Sequence, residues 1–182
     1  MMNAKWTTVL GALVAGTVST MAQGAAPAVV QRGYDPNVSG ATLAETRLKT
    51  ANVGPSSFGR LYKLSLDANS YAQPLYVPNV AIPGLGTHNV LYVATMNDSI
   101  YAFDADVGGA PLWTVNLASF LSTTAVIWAN FNFPPVSNAG NLGILSTPVI
   151  DPSTHIMYVV ACTLENDTMA YRLHAVDITD GS

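Results

Sequence analysis

Charge is scarce in this chain. Only 10% of its 182 residues are Asp, Glu, Lys or Arg, against roughly 25% in an average soluble domain. Seven Lys and Arg against eleven Asp and Glu give a formal net charge of −4, and the basic residues form no cluster. That balance argues against a nucleic-acid partner or an acidic membrane surface. Cysteine is nearly missing. Cys162 stands alone, so no internal disulfide can form after export. It falls in the strand-like run Tyr158–Cys162, where a small buried apolar residue is expected. No His or cation lies close in sequence to lower its pKa, so a structural thiol is expected rather than a reactive one. The chain also lacks G-x-S-x-G, a phosphate-binding loop, a glycine-rich dinucleotide fingerprint and any H-x-H or H-x-x-x-H pair.

Only one long apolar run is present, at the N-terminus. Lys5 supplies a positive start, Val9 to Val18 is apolar apart from Gly and Thr, and Ala22 and Gly24 are small residues at the −3 and −1 positions. Residues 1–24 therefore read as a secretory signal cleaved before Ala25. The run is too short for a membrane anchor, which needs about 20 apolar residues, and no later stretch would cross as a helix. An exported protein is expected, periplasmic or extracellular.

What the chain does contain is period-two β pattern. Asn89–Leu117 reads as three strands: Asn89–Thr95, Ser99–Phe103 and Leu112–Leu117, separated by turns at Met96-Asn97-Asp98 and Asp104–Gly109. The pattern returns downstream. Tyr158-Val159-Val160-Ala161 echoes Tyr92-Val93-Ala94-Thr95, and Leu173–Asp177 echoes Ile100–Asp104. Thr147-Pro148-Val149-Ile150-Asp151 echoes Gln73-Pro74-Leu75-Tyr76-Val77, with the two prolines 74 positions apart. Internal repeats of this length and all-β pattern point to propeller blades or arrays.

The residues Ala102, Asp104, Gly109 and Trp113, and again Ala175, Asp177 and Gly181, resemble the A-x-D-x-x-T-G-x-x-x-W motif of propellers related to the pyrroloquinoline quinone (PQQ) dehydrogenases. One residue is extra between Asp104 and Gly109, and Asp180 stands where Thr is usual. In that motif Asp and Gly make the turn and Trp lays an apolar plate on the next blade. From Arg60 to Ser182 the chain is similar to exported bacterial proteins labelled PQQ-like. It departs from them at Met96-Asn97, where Glu-His is frequent, and at Asn141, where Glu is frequent. The resemblance implies an all-β, partial β-propeller of about two four-stranded antiparallel blades, the second incomplete. In working quinoproteins PQQ lies between a Trp floor and, in many members, adjacent cysteines, beside calcium held by Glu and Asn, with an Asp as base. Adjacent cysteines are missing here and no acidic residue sits in a matching motif, so no catalytic, cofactor-binding or metal residue is carried over. PQQ and calcium enter only as family associations.

Three domains follow: signal 1–24, a loop-like lead-in 25–59 that packs across the blades, and propeller blades 60–182 interrupted by a long insertion at 118–145. Within the lead-in, Leu43, Leu48 and Val53 suggest a short helix or turn in Ala41–Lys49. Arg60–Leu66 and Gln73–Val77 read as strands, the latter followed by a loop through Pro83, Gly84 and Gly86. The second unit begins with Ser146–Asp151 and continues with Ile156–Cys162 and Tyr171–Asp177, joined across Glu165-Asn166-Asp167. The insertion shows no sustained period; it reads as an ordered cap over the blade edges or, if the protein binds anything, as the first place to look for a binding loop.

Other candidates have simpler structural readings. Asp104-Ala105-Asp106-Val107-Gly108 has the look of a calcium loop but lacks the six to eight oxygen ligands such loops need. Thr-His pairs at His88 and His155 precede equivalent strands, which favours a repeat-structural role for both, and His174 lies inside a strand. Sequons begin at Asn37, Asn97 and Asn166, the last two at turns where Asn is common anyway. The functional expectation is a non-catalytic scaffold or binding module. A degenerate quinoprotein oxidoreductase and a truncated product without independent function are the alternatives. The Tyr171–Asp177 strand is expected to be an edge that pairs with another chain.

Overall fold

The computed structural model describes residues 27–43, 45, 47–120, 124–127 and 141–182. The expected signal segment, and 121–123 and 128–140 of the insertion, lie outside the described residues. The described chain is all-β and forms two antiparallel sheets, one of four strands and one of five.

The first sheet runs in chain order. Strand β1 (Leu75–Ile82) pairs with β2 (Gly86–Ala94), β2 with β3 (Ser99–Asp104), and β3 with β4 (Trp113–Asn116). Pro83 and Gly84 close the first hairpin: the Leu85 amide donates to the Ile82 carbonyl at 3.0 Å, and Gly84 has φ of 75°. Pro fixes φ at the first corner and Gly supplies the positive φ at the second, as a type II turn demands. β1 is longer than the expected Gln73–Val77. A bulge between Val77 and Val80, with Asn79 at φ 56°, lets pairing resume past Pro78.

The second sheet is centred on β8 (Ile156–Glu165), flanked by β7 (Val149–Asp151) and by β9 (Thr168–Asp177). Asn166 and Asp167 both take positive φ, 48° and 60°, which gives the tight hairpin between β8 and β9. β5 (Thr124–Ile127) pairs with the far end of β8, and β6 (Asn141–Leu142) pairs with β5. These two strands lie in the segment expected to be an irregular insertion. They are too short to show a period, and only β8 makes them strands. A single helical turn α1 (Leu117–Phe120) leads from β4 toward them.

Ladder positions correspond between the sheets. Leu75 faces Tyr92 and Tyr92 faces Ala102 in the first; Val149 faces Tyr158 and Tyr158 faces Ala175 in the second. The sheets pack face to face through one core, Leu75, Tyr92, Ala94, Ile100 and Ala102 from the first against Ile150, Met157, Val159, Ala161 and Val176 from the second. A smaller cluster of Met96, Val126, Leu142 and Cys162 fills the end where β5 and β6 join.

The lead-in does cross both sheets. Val29 bridges to Tyr76 of β1, and the Val30 carbonyl accepts the Ile150 amide of β7 at 2.8 Å. Of the helix or turn expected in Ala41–Lys49, the described residues show a turn at Leu43 and a bend at Arg47 and no helix, and Leu43 and Leu48 are exposed; with no second element to cover them, their burial cannot support a helix. One expectation fails. Arg60–Leu66 carries no strand ladder. Alternation makes a strand only when a neighbour accepts its backbone hydrogen bonds, and no described strand lies beside it. Among the described residues, no helix is long and apolar enough to cross a membrane.

Candidate functional site

Two constellations stand out, a pair of matching turns and a polar cluster between the sheets.

The turns follow β3 and β9. At each, the strand's last residue is an Asp whose Oδ1 accepts a backbone amide two residues on: Asp104 from Asp106 and Asp177 from Thr179, both at 2.8 Å. The Gly108 amide donates to the Asp104 carbonyl and the Gly181 amide to the Asp177 carbonyl, both at 2.9 Å. The spacing is therefore four residues in both, and Gly108, not Gly109, is the partner of Gly181; the extra residue falls after the turn. Each turn carries an aromatic lid. The Tyr62 hydroxyl donates to the Ala105 carbonyl at 2.7 Å, and Trp113 Nε1 donates to the Ile178 carbonyl at 3.1 Å. A β-carbon on Gly108 would lie 2.7 Å from Tyr62 Cγ, and one on Gly181 would lie 2.8 Å from Trp113 Cε3. Only glycine lets the rings sit this close, and both glycines also have positive φ. Trp113, expected to be largely buried as the apolar plate of its blade, is only half-buried; it packs against the core and over the Gly181 turn.

These contacts dispose of the calcium-loop pattern. Asp104 Oδ1 serves the turn, and its Oδ2 meets His88 Nδ1 at 2.7 Å, while Asp106 Oδ2 accepts from Asn89 at 2.9 Å. Hydrogen bonding to Asp104 holds the His88 imidazole above its ordinary pKa, and the same bond holds the Asp104 carboxyl below its own. His155 is not the counterpart of His88. Its carbonyl accepts the Ile178 amide as the Asn89 carbonyl accepts the Ala105 amide, so the register aligns it one residue further on. His174 has a buried Nε2 with no partner, and burial pushes its pKa down. Among the described residues no three His, Cys, Asp or Glu side chains gather as a metal site.

The polar cluster surrounds the turn between β2 and β3. The Asp67 carboxylate accepts from the Ser99 hydroxyl at 2.6 Å, Asn97 Nδ2 at 2.8 Å and the Thr95 hydroxyl at 2.9 Å. Partial burial pushes Asp67 up, but these bonds together outweigh it and hold the carboxyl below its ordinary value. Asn141 Nδ2 donates to Asn97 Oδ1 at 2.6 Å. Asn97 of the first sheet's β2–β3 turn and Asn141 of β6 are thus in direct contact.

Asp98 is the unusual member. It takes φ of 57° and is fully buried, and neither carboxyl oxygen has a hydrogen-bond partner. Burial pushes its pKa up to about 7; the Cys162 amide offsets part of that without closing a hydrogen bond of normal geometry. Gly143 closes the site from outside, since a β-carbon there would lie 2.7 Å from Asp98 Oδ1. Cys162 is buried and its thiol is pushed up, first by burial. This carboxyl can take or give a proton near neutral pH, but it is sealed from solvent and, among the described residues, has no activated nucleophile beside it. The sequence showed Asp98 only as a turn residue. Its burial depends on Gly143 and Cys162, which lie far along the chain, and no local signal reports that.

A groove of about 730 Å³ lies between the lead-in and β1, lined by Tyr34, Tyr76, Leu43, Asp35 and Glu45. Its Asp35 carboxylate is turned onto the Ser39 hydroxyl and the Asn37 amide. Comparison with family models, with curated proteins and with solved structures finds no match to this chain.

Proposed function

We propose that the chain is an exported, non-catalytic scaffold or binding module built from propeller-type units. The observation that carries this reading is the pair of turns. Each is an Asp-to-Gly turn of the same spacing, lidded by an aromatic ring that donates to the same carbonyl position. The corresponding ladder positions of the two sheets support it, and so does face-to-face stacking through a single core. In such a stack each sheet presents one face to its neighbour, and function lies in what the stack displays.

The residues present do not fit PQQ. The Trp113 ring is taken up by Gly181 and its N–H by Ile178, Cys162 is buried and single, and Asp104 and Asp177 hold their own turns. An absorbance titration with PQQ and calcium tests the reading. No saturable spectral change is expected. Stoichiometric, calcium-dependent binding would overturn it in favour of a degenerate quinoprotein oxidoreductase. Export is tested by N-terminal sequencing of secreted material, which should begin near Ala25.

A further inference from the structure

Asp98 is the one buried carboxyl that no structural role absorbs. It is fully buried, and neither of its oxygens has a hydrogen-bond partner. Protonated, such a group forgoes hydrogen bonds; ionised, it also forgoes its hydration, which is far more unfavourable. The fold's response to ionisation is set by the weakest wall around it. Two walls are firm. Its own turn is closed by the Thr95 amide on the Ser99 carbonyl at 2.9 Å, and the Asp98 carbonyl accepts the Leu117 amide at 2.8 Å. Cys162 lies within β8, a ten-residue strand paired along its whole length with β9.

The third wall is Gly143, where a β-carbon would lie 2.7 Å from Asp98 Oδ1 and 2.6 Å from the Met96 carbonyl. It belongs to Asn141–Gly143, a strap held lightly. β6 is two residues long and pairs with β5 alone, and Asn141 Nδ2 donates to Asn97 Oδ1. Beyond the strap, Ile144 is fixed: its side chain is in the main core and its amide donates to the Thr95 carbonyl at 3.2 Å. Gly143 next to that anchor is the residue freest to rotate. Leu142 of the strap covers Cys162 in the smaller cluster.

We propose that Asn141–Gly143 is a pH-released strap, seated on the β2–β3 turn while the Asp98 carboxyl is protonated and lifted about Ile144 when that carboxyl ionises. The other titratable groups around it do not take over the switch. The Cys162 thiol of β8 is pushed up by burial, and so is the hydroxyl of Tyr171, its cross-strand partner on β9. Asp67 is held ionised by Ser99, Asn97 and Thr95. The 118–145 insertion contains no Asp, Glu, Lys, Arg, His, Cys or Tyr, so it supplies neither a counter-ion nor a competing proton. Burial pushes Asp98 up to about 7. Below that value the seated strap covers a neutral acid; above it, a bare charge that water would solvate if the strap lifted. The device acts on the point where the insertion returns to the second sheet, and it does not depend on the scaffold reading.

Cys162, the only cysteine and covered by the strap, reports the opening. Its labelling by a dithiodipyridine reagent, divided by the rate of the denatured chain at the same pH, should rise about tenfold per pH unit between pH 5 and 7 and level off above, as one released proton requires. Asp98→Asn should label slowly and without that rise. A thiol placed in the main core by Val90→Cys, in a Cys162→Ala background, should label at least tenfold more slowly than Cys162 at every pH. A flat profile for the unmodified chain overturns the proposal, and so does a rise that survives Asp98→Asn. Equal labelling of the two thiols also overturns it, because the whole fold and not the strap would then be opening.

Discussion

Leu75, Tyr92 and Ile100 of the first sheet are 1%, 2% and 0% exposed, whereas Val149, Tyr158 and Leu173, which hold the corresponding ladder positions of the second, are 46%, 44% and 71% exposed. The residue types hardly differ. What differs is the neighbour. The first sheet has the second on its core face, and its other face still buries Val93 and Phe103. Among the described residues, the second sheet has a neighbour on one face only. Side-chain chemistry repeated by the sequence is therefore used for core packing in one place and left for display in the other, because burial is a property of the stack and not of the strand.

Paired substitutions give the sharpest break of this comparison. Tyr92→Ala should destabilise the fold by about 3–5 kcal/mol, the range for large buried aromatics, since it also removes the bond to Ile178. Tyr158→Ala at the corresponding position should stay within about 0.5 kcal/mol in dilute, unassociated protein, as exposed sites do. Denaturant unfolding of both variants checks this; equal losses would mean that the second sheet's outer face is covered in solution.

Asp98 links the stability of the fold to pH. A carboxyl raised from 3.8 to about 7 is protonated in the fold but ionised in the unfolded chain between those values. The fold is then penalised progressively as pH rises from about 4, and fully so above about 7, by at most roughly 4 kcal/mol. Asp98→Asn should flatten the stability profile across that window and give its largest gain above pH 7. An unchanged profile would show the carboxyl to be solvated.

Gly181→Ala should cost about 1–3 kcal/mol through backbone strain at φ 82°, with displacement of Trp113 adding to it. Trp113 fluorescence should report the displacement. Gly109, also at positive φ but with nothing packed where its β-carbon would point, should show the strain alone and so the smaller loss.

The smallest effect concerns His88. Its pKa is raised in the fold by Asp104, so its stabilising share is fully present below the unfolded value of about 6.5 and is lost as pH rises through the folded value. His88→Gln should therefore lower the melting temperature more at pH 5.5 than at pH 8.5.

Much of the fold was legible. Alternation in Ser99–Phe103, the Pro83-Gly84 corner and the Asn166-Asp167 hairpin are local devices, set by pleat geometry and by which residues tolerate positive φ. β5 and β6 were not legible, because strands of four and two residues carry no period of their own. The reading of Arg60–Leu66 as a strand failed for the opposite reason: the pattern is present and the neighbour is not. The candidate site was least legible of all. Asp67, Thr95, Asn97 and Ser99 meet through a segment some 30 residues away, and nothing in a Met96-Asn97-Asp98 turn announces that its one carboxyl will be sealed.

By itself the sequence determined the β class and the turn chemistry at Asp104 and Asp177, because each of these depends on residues close together in the chain. Tertiary structure alone decided which glycine carries each aromatic lid, which of two similar faces is buried, and that Asp98 faces Gly143 and Cys162 without a partner. Those outcomes depend on how two sheets meet, and the free energy of burying a side chain is fixed by the surface that arrives opposite it.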